Sequence, residues 1–126
     1  YFIGHSIGCQ TIMRYLESIP ESVKIGGIIF VAPWFNLIPE PIEEEGGTEI
    51  ARPWIETPMD FKKITSHTNK FIAIFSDNDP VVPLTDSELF KKRLKAKIII
   101  EHNKGHFNAS DGVKEIKIVL DELLKW

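Results

Sequence analysis

The feature that most restricts this chain stands at its front. Tyr1-Phe2-Ile3 runs directly into Gly4-His5-Ser6-Ile7-Gly8, and a helical pattern follows. A strand-like triplet, Gly-x-Ser-x-Gly and an amphipathic stretch, in that order, are the context of a nucleophile elbow. A serine at the apex of a strained strand-to-helix turn presents its hydroxyl outward. Gly4 and Gly8 are expected to remove side chains that would collide with that turn. Ile12, Tyr15, Leu16 and Ile19 recur at helical spacing up to Pro20, which places a helix directly behind Ser6. Its N-terminal amides and dipole favour an oxyanion close to the serine, with the backbone N–H of Ile7 as one donor. A Gly-rich turn whose serine merely caps the helix has almost the same local sequence, so the rest of the chain has to decide.

Gly27 to Ala32 and Phe71 to Phe75 are continuous apolar runs of strand length, and Ile98-Ile99-Ile100 is a shorter one. Strands apolar on both faces belong to parallel sheets covered by helices on each side. Between Pro33 and His67 the regularity fails, and five of the eight prolines (33, 39, 41, 53 and 58) fall there. That length is expected to be a functional flap, residues 34–67 approximately, carrying short helical pieces. One such piece is expected to start at Thr57-Pro58-Met59-Asp60, with Thr57 as cap and Phe61 and Ile64 following. Thr85-x-x-Glu88 has the form of a capping box ahead of Leu89, Phe90 and Leu94. Val113, Ile116, Val119, Leu120, Leu123 and Leu124 form the apolar face of a last helix. The order β-α-β-flap-β-α-β-α predicts an α/β fold over residues 1–126: a three-layer α/β/α sandwich with a parallel sheet and right-handed crossovers.

Charge and composition exclude several function classes. A formal net charge of −3 and the lack of a basic stripe argue against nucleic acid as a partner. The single cysteine, Cys9, excludes an internal disulfide framework and suits a reducing, cytoplasmic compartment. No apolar run approaches the roughly 18 residues a membrane span requires, and neither a membrane span nor a signal peptide is expected. The sequence starts with Tyr1, already inside a strand. The expectation is that the front of the domain precedes it, and that the bare edge of the first strand allows self-association.

Catalytic groups in such folds sit at the carboxyl ends of strands. Those ends carry Ser6, the Pro33 turn into the flap, Asp79 in Ser76-Asp77-Asn78-Asp79-Pro80, and His106 after Gly105. Ser…Asp…His is the order of α/β-hydrolases, not that of chymotrypsin or subtilisin. Asp77 competes with Asp79, but reads better as a turn residue bonding its own backbone. His102 competes with His106 and reads as a surface or edge residue. Cys9 reads as a small buried apolar residue, and His67 receives no role.

Gly-His-Ser-Ile-Gly-Cys, Ser76 to Pro83, Gly105-His106-Phe107 and the Arg52-Pro53-Trp54 element resemble the small serine hydrolases of the YdeN / retinoblastoma-binding-protein-9 family, within the α/β-hydrolase superfamily. The likeness covers essentially the whole chain, as the C-terminal two-thirds or so of a family member. It implies Ser6 as nucleophile, Asp79 as acid, His106 as general base, and no cofactor. It also implies that a preceding His-Gly loop contributes to the oxyanion hole. The activity expected is esterase-like, acting on small ester, thioester or amide substrates through an acyl-serine. Trp34 and Trp54, with Phe35 and Leu37, are candidates for the apolar wall of the acyl pocket, with core packing as the alternative for some of them. His5 is a candidate for shaping the pocket, although a packed, hydrogen-bonded ring is the reading favoured for it.

Two rivals have specific counter-evidence. Zinc ligation would use the i,i+4 pairs His5/Cys9 and His102/His106, but His5 precedes the helix and residues 103–105 read as loop, so no metal is expected. A protein-interaction module on a hydrolase scaffold is the alternative from another class. The Leu-x-Cys-x-Glu signature used for pocket-protein binding is absent, because Ile7 and Thr11 flank Cys9. The flap's Glu40, Glu43, Glu44, Glu45, Glu49, Glu56 and Asp60, opposed by Arg52, read as a solvated acidic face.

Overall fold

Four short strands carry the molecule in the computed structural model, which describes residues 1–40 and 46–126. They are β1 (Phe2–His5), β2 (Ile28–Val31), β3 (Phe71–Ser76) and β4 (Lys97–Glu101). All neighbours are parallel and the spatial order follows the sequence, β1-β2-β3-β4. The period-2 alternation divides each inner strand between two cores. Ile28, Phe30, Phe71, Ala73 and Phe75 face a larger core shared with helices α1 (Ile7–Ser18), α3 (Phe61–Ser66) and α4 (Asp86–Leu94). Ile29, Val31, Ile72 and Ile74 face a smaller one covered by α5 (Lys117–Leu123). Two covered faces make the three-layer sandwich, and they explain why every residue of β2 and β3 is buried. Phe30, Phe35, Phe75 and Phe90 interlock at centroid separations of 4.2 to 5.8 Å, which fixes α4 and the start of the flap against the sheet.

Several local expectations need correction. The buried face of α1 is Cys9, Gln10, Met13 and Leu16, whereas Tyr15 is half exposed. The flap contains a ten-residue helix, α2 (Gly47–Glu56), with Pro53 inside it. Thr57 is therefore the C-cap of α2, its N–H bonded to the Pro53 carbonyl, and Asp60 caps α3 by accepting from the Lys63 N–H at 3.0 Å. No capping box forms at Thr85, whose backbone is already helical and whose side chain makes no cap bond. The helix expected from Val113 begins only at Lys117. Ahead of it, a 3-10 turn (Ala109–Asp111) carries the Asn108/Asp111 capping box. Glu43, Glu44 and Glu45 of the acidic face lie outside the described residues.

Candidate active site

Each strand delivers one part of the site from its carboxyl end. After β1 the backbone turns so sharply that Ser6 takes φ 52° and ψ −120°, a strained conformation for a residue with a side chain. The tight packing is real at Gly4, where an added Cβ would sit 2.7 Å from Ile12 Cδ1 and 3.0 Å from the Cys9 amide. At Gly8 the expectation fails: a Cβ there meets nothing within 4 Å among the described residues. Ile7 opens α1, so its N–H belongs to a first turn with no preceding helical carbonyl to bond.

His106 closes on Ser6 from the other end of the sheet. Its Nε2 is 2.9 Å from Ser6 Oγ, and its Nδ1 is 2.8 Å from Asp79 Oδ2. The side chains of His106 and Asp79 are 10% and 3% exposed, so this pair operates away from bulk water. The other Asp79 oxygen accepts the Val81 and Val82 amides at 2.8 and 3.0 Å, which locks the carboxylate plane. An Asp-x-Val-Val turn is thus a device for aiming one oxygen at the imidazole. With Nδ1–H donated to Asp79, Nε2 is the ring nitrogen able to accept the Ser6 hydroxyl hydrogen bond.

Three consecutive residues after β3 grip the loop after β4, and two of these roles were missed from sequence. Asp77 accepts the Asn103 N–H at 2.9 Å and pairs with the exposed His102 ring, instead of bonding its own turn. These bonds, the Asn103 amide first and His102 second, hold its carboxyl below the ordinary aspartate range. Asn78 Oδ1 accepts from Gly105 N at 2.9 Å and from Ser76 Oγ, and Ser76 Oγ accepts the Lys104 N–H at 3.0 Å. Asp111 accepts the His106 N–H at 2.9 Å. Gly105 has φ +54° and its added Cβ would lie 2.5 Å from the Asp111 carboxyl carbon, so only glycine fits. The one sequence signal for this grip was the run of three Asx residues facing a Gly-His loop.

His5 sits exposed beside the site with its Nε2 2.8 Å from the His106 carbonyl, and so carries its proton there. It holds His106 by the backbone. Trp34 is 3% exposed, and its indole Nε1–H points at Ser6 Oγ at 3.4 Å. Gln10, unnoticed in sequence, donates from Nε2 to the Trp34 carbonyl at 2.8 Å. Trp54 is not at the serine. It lines a neighbouring cleft of about 440 Å³ with Gln10, Phe35, Met59, Phe61 and Arg93. Cys9 is fully buried, its thiol turned to the Val31 carbonyl, and burial raises it far above the range where a thiolate forms. His67 staples the core, with ring nitrogens 2.7 Å from the Val23 carbonyl and 2.9 Å from that of Leu16.

A family model described as serine hydrolase matches residues 1–125. The chain belongs to the serine hydrolase family. It is 26% identical over 126 residues to YdeN of Bacillus subtilis, a protein named for an inferred hydrolase activity, covering 100% of this chain and 63% of YdeN. It is 27% identical over 117 residues to the serine hydrolase RBBP9 of Rattus norvegicus, covering 93% of this chain and 58% of that protein. The crystal structure of the Bacillus subtilis ydeN product superposes with a TM-score of 0.85 at 26% identity, over 98% of this chain and 63% of that one. A YdeN-like protein from Pectobacterium atrosepticum shares the fold, with a TM-score of 0.62 at 22% identity over 98% of this chain and 56% of that chain. The chain thus spans less than two-thirds of the length of these relatives. No helix among the described residues is long and apolar enough to cross a membrane.

Proposed function

We propose that this serine hydrolase cleaves small ester, thioester or amide substrates through an acyl-Ser6 intermediate. The observation that supports it most is the continuous relay from Ser6 Oγ to His106 Nε2 at 2.9 Å and from His106 Nδ1 to Asp79 Oδ2 at 2.8 Å. His106 takes the Ser6 proton as Oγ bonds to the substrate carbonyl carbon, and the carbonyl electron pair moves onto its oxygen. The Ile7 N–H, reinforced by the start of α1, is a donor for that oxyanion. Asp79 keeps the imidazole in the working tautomer and stabilises the imidazolium. His106 then returns the proton to the leaving group, the acyl group stays on Ser6, and a water deprotonated by His106 releases it. No step requires a cofactor. Gln10, one turn beyond Ser6 and bonded to the Trp34 carbonyl, lines the cleft that also holds Trp54, which makes that cleft the candidate acyl site, with His5 shaping the entrance.

The test is a fluorophosphonate probe on the intact protein, with Ser6→Ala as control. A single adduct on Ser6, lost in the variant, is the expected result. Absence of labelling would instead favour an interaction module built on a hydrolase scaffold.

A further inference from the structure

We infer that the indole N–H of Trp34 is a catalytic hydrogen-bond donor to the Ser6 oxygen, a role separate from forming a pocket wall; the inference rests on the acyl-transfer reading of Ser6 given above. A buried indole N–H needs a partner. Trp34 is 3% exposed, and its Nε1 is directed at Ser6 Oγ, 3.4 Å away. The serine hydroxyl has one proton and two lone pairs. The proton directed to His106 Nε2 at 2.9 Å sets the rotor, and the indole N–H faces one of the lone pairs. The second lone pair is left to meet a carbonyl carbon.

The backbone around Trp34 is built to hold that aim. Two residues before it, Ala32 adopts φ 46°, a left-handed conformation costly for alanine, while its N–H bonds to the Ile74 carbonyl at 2.9 Å. Gln10 holds the Trp34 carbonyl at 2.8 Å. The fully buried Asp86 carboxylate accepts the Phe35 N–H at 2.6 Å and the Asn36 N–H at 2.8 Å. A hydrophobic wall requires only a ring in roughly the right place. Strain at one end and three hydrogen bonds to the main chain at the other fix the backbone from which the indole projects, and its burial at 3% exposure holds the ring.

The distance decides what the donor does. At 3.4 Å the bond is long for N–H···O, so it restrains the resting nucleophile little. Negative charge grows on Oγ as its proton leaves for His106, before the bond to carbon is complete. It grows there again when Oγ is expelled from the second tetrahedral intermediate and takes a proton back from His106. A donor to an oxygen that gains charge binds the transition state better than the ground state.

The test replaces Trp34 in the intact protein with benzothienylalanine, which keeps the bicyclic shape and puts sulfur where the N–H was; Trp34→Phe is the encoded counterpart. With p-nitrophenyl esters of graded chain length, kcat for the sulfur isostere is expected to fall about 10-fold, the size of one hydrogen bond, with KM and the chain-length profile unchanged, whereas Trp34→Phe should show the same fall in kcat together with a shifted profile, because it also shortens the wall. Fluorophosphonate labelling of the same samples should slow by a similar factor. Wild-type kcat in the sulfur isostere overturns the inference and leaves Trp34 as wall alone. A wild-type protein that neither labels nor hydrolyses any ester removes the underlying reading and the inference with it.

Discussion

The loops after β3 and β4 and the segment from Pro33 to His67 are both irregular in sequence, yet they are held in opposite ways. The two loops grip one another residue by residue: Asp77, Asn78 and Asp79 reach Asn103, Gly105 and His106 in turn. Among the described residues, the long segment is secured at scattered points on either side of α2. Asp86 fastens Phe35 and Asn36, and Arg14 bonds the carbonyls of Thr57 and Pro58. Between these anchors α2 buries Ala51 alone and leaves Ile50 67% and Ile55 43% exposed, whereas β3 buries all six of its residues. Ser6, Asp79 and His106, the reacting groups of the proposed function, thus sit on backbone with little freedom, while the neighbouring cleft is walled by a helix with a shallow footing. Chemistry demands sub-ångström placement, and substrate accommodation does not.

The comparison breaks first at the relay. Ser6→Ala, Asp79→Asn and His106→Ala should each lower turnover by on the order of 10³-fold or more, with strongly non-additive losses in double variants. Near-wild-type turnover in Asp79→Asn alongside loss in Asp77→Asn would move the acid to Asp77. Next comes the loop that carries the base. Gly105→Ala forces a left-handed alanine against Asp111, and a displacement of about 1 Å at His106 is expected to cost roughly 10²-fold in kcat. If the variant folds with unchanged kcat, the interlocked loops do not set the catalytic geometry. In the looser region, Trp54→Ala should change the preferred acyl chain length by a few-fold in kcat/KM, with kcat for the smallest ester retained. A fall in kcat for every ester would put Trp54 in the rigid half instead.

The smallest effect lies in the exposed clasp of Asp77 with Asn103 and His102. The folded carboxyl is held below the ordinary range, so its contribution is present above the unfolded aspartate pKa and is lost as pH falls through the folded value. Asp77→Asn should therefore lower Tm slightly at neutral pH, and the two melting temperatures should converge in strong acid. A difference in Tm independent of pH would show that the carboxylate charge has no part in the clasp.

Much of this was legible in the chain because each signal was local and strong. Apolar runs marked the strands, and the elbow, the Asp-Pro turn and Gly-His marked three strand ends in an informative order. The missed parts depend on long-range geometry. Pro53 hid a helix that tolerates it on an exposed face, and the hidden helix shifted the capping role from Thr57 to Asp60. The start of α5 was misplaced because helical spacing persists through Val113 and Ile116, although Asp111 is engaged by His106 and Asn108 and the chain turns there. Asn78, Gln10 and Asp86 act across 24 to 51 residues of sequence, and no local pattern reports such contacts.

The central claim, that the relay makes Ser6 an acyl carrier, is tested most directly by trapping the acyl-enzyme. Mixing the intact protein with p-nitrophenyl acetate, quenching in acid within the first turnover and mapping the modified peptide by mass spectrometry should give one acetyl group per chain, on Ser6. It should accumulate with a burst of nitrophenol and be missing in His106→Ala over the same interval. Hydrolysis without a burst and without acetyl on Ser6, or an acetyl group on another residue that survives Ser6→Ala, would contradict the account.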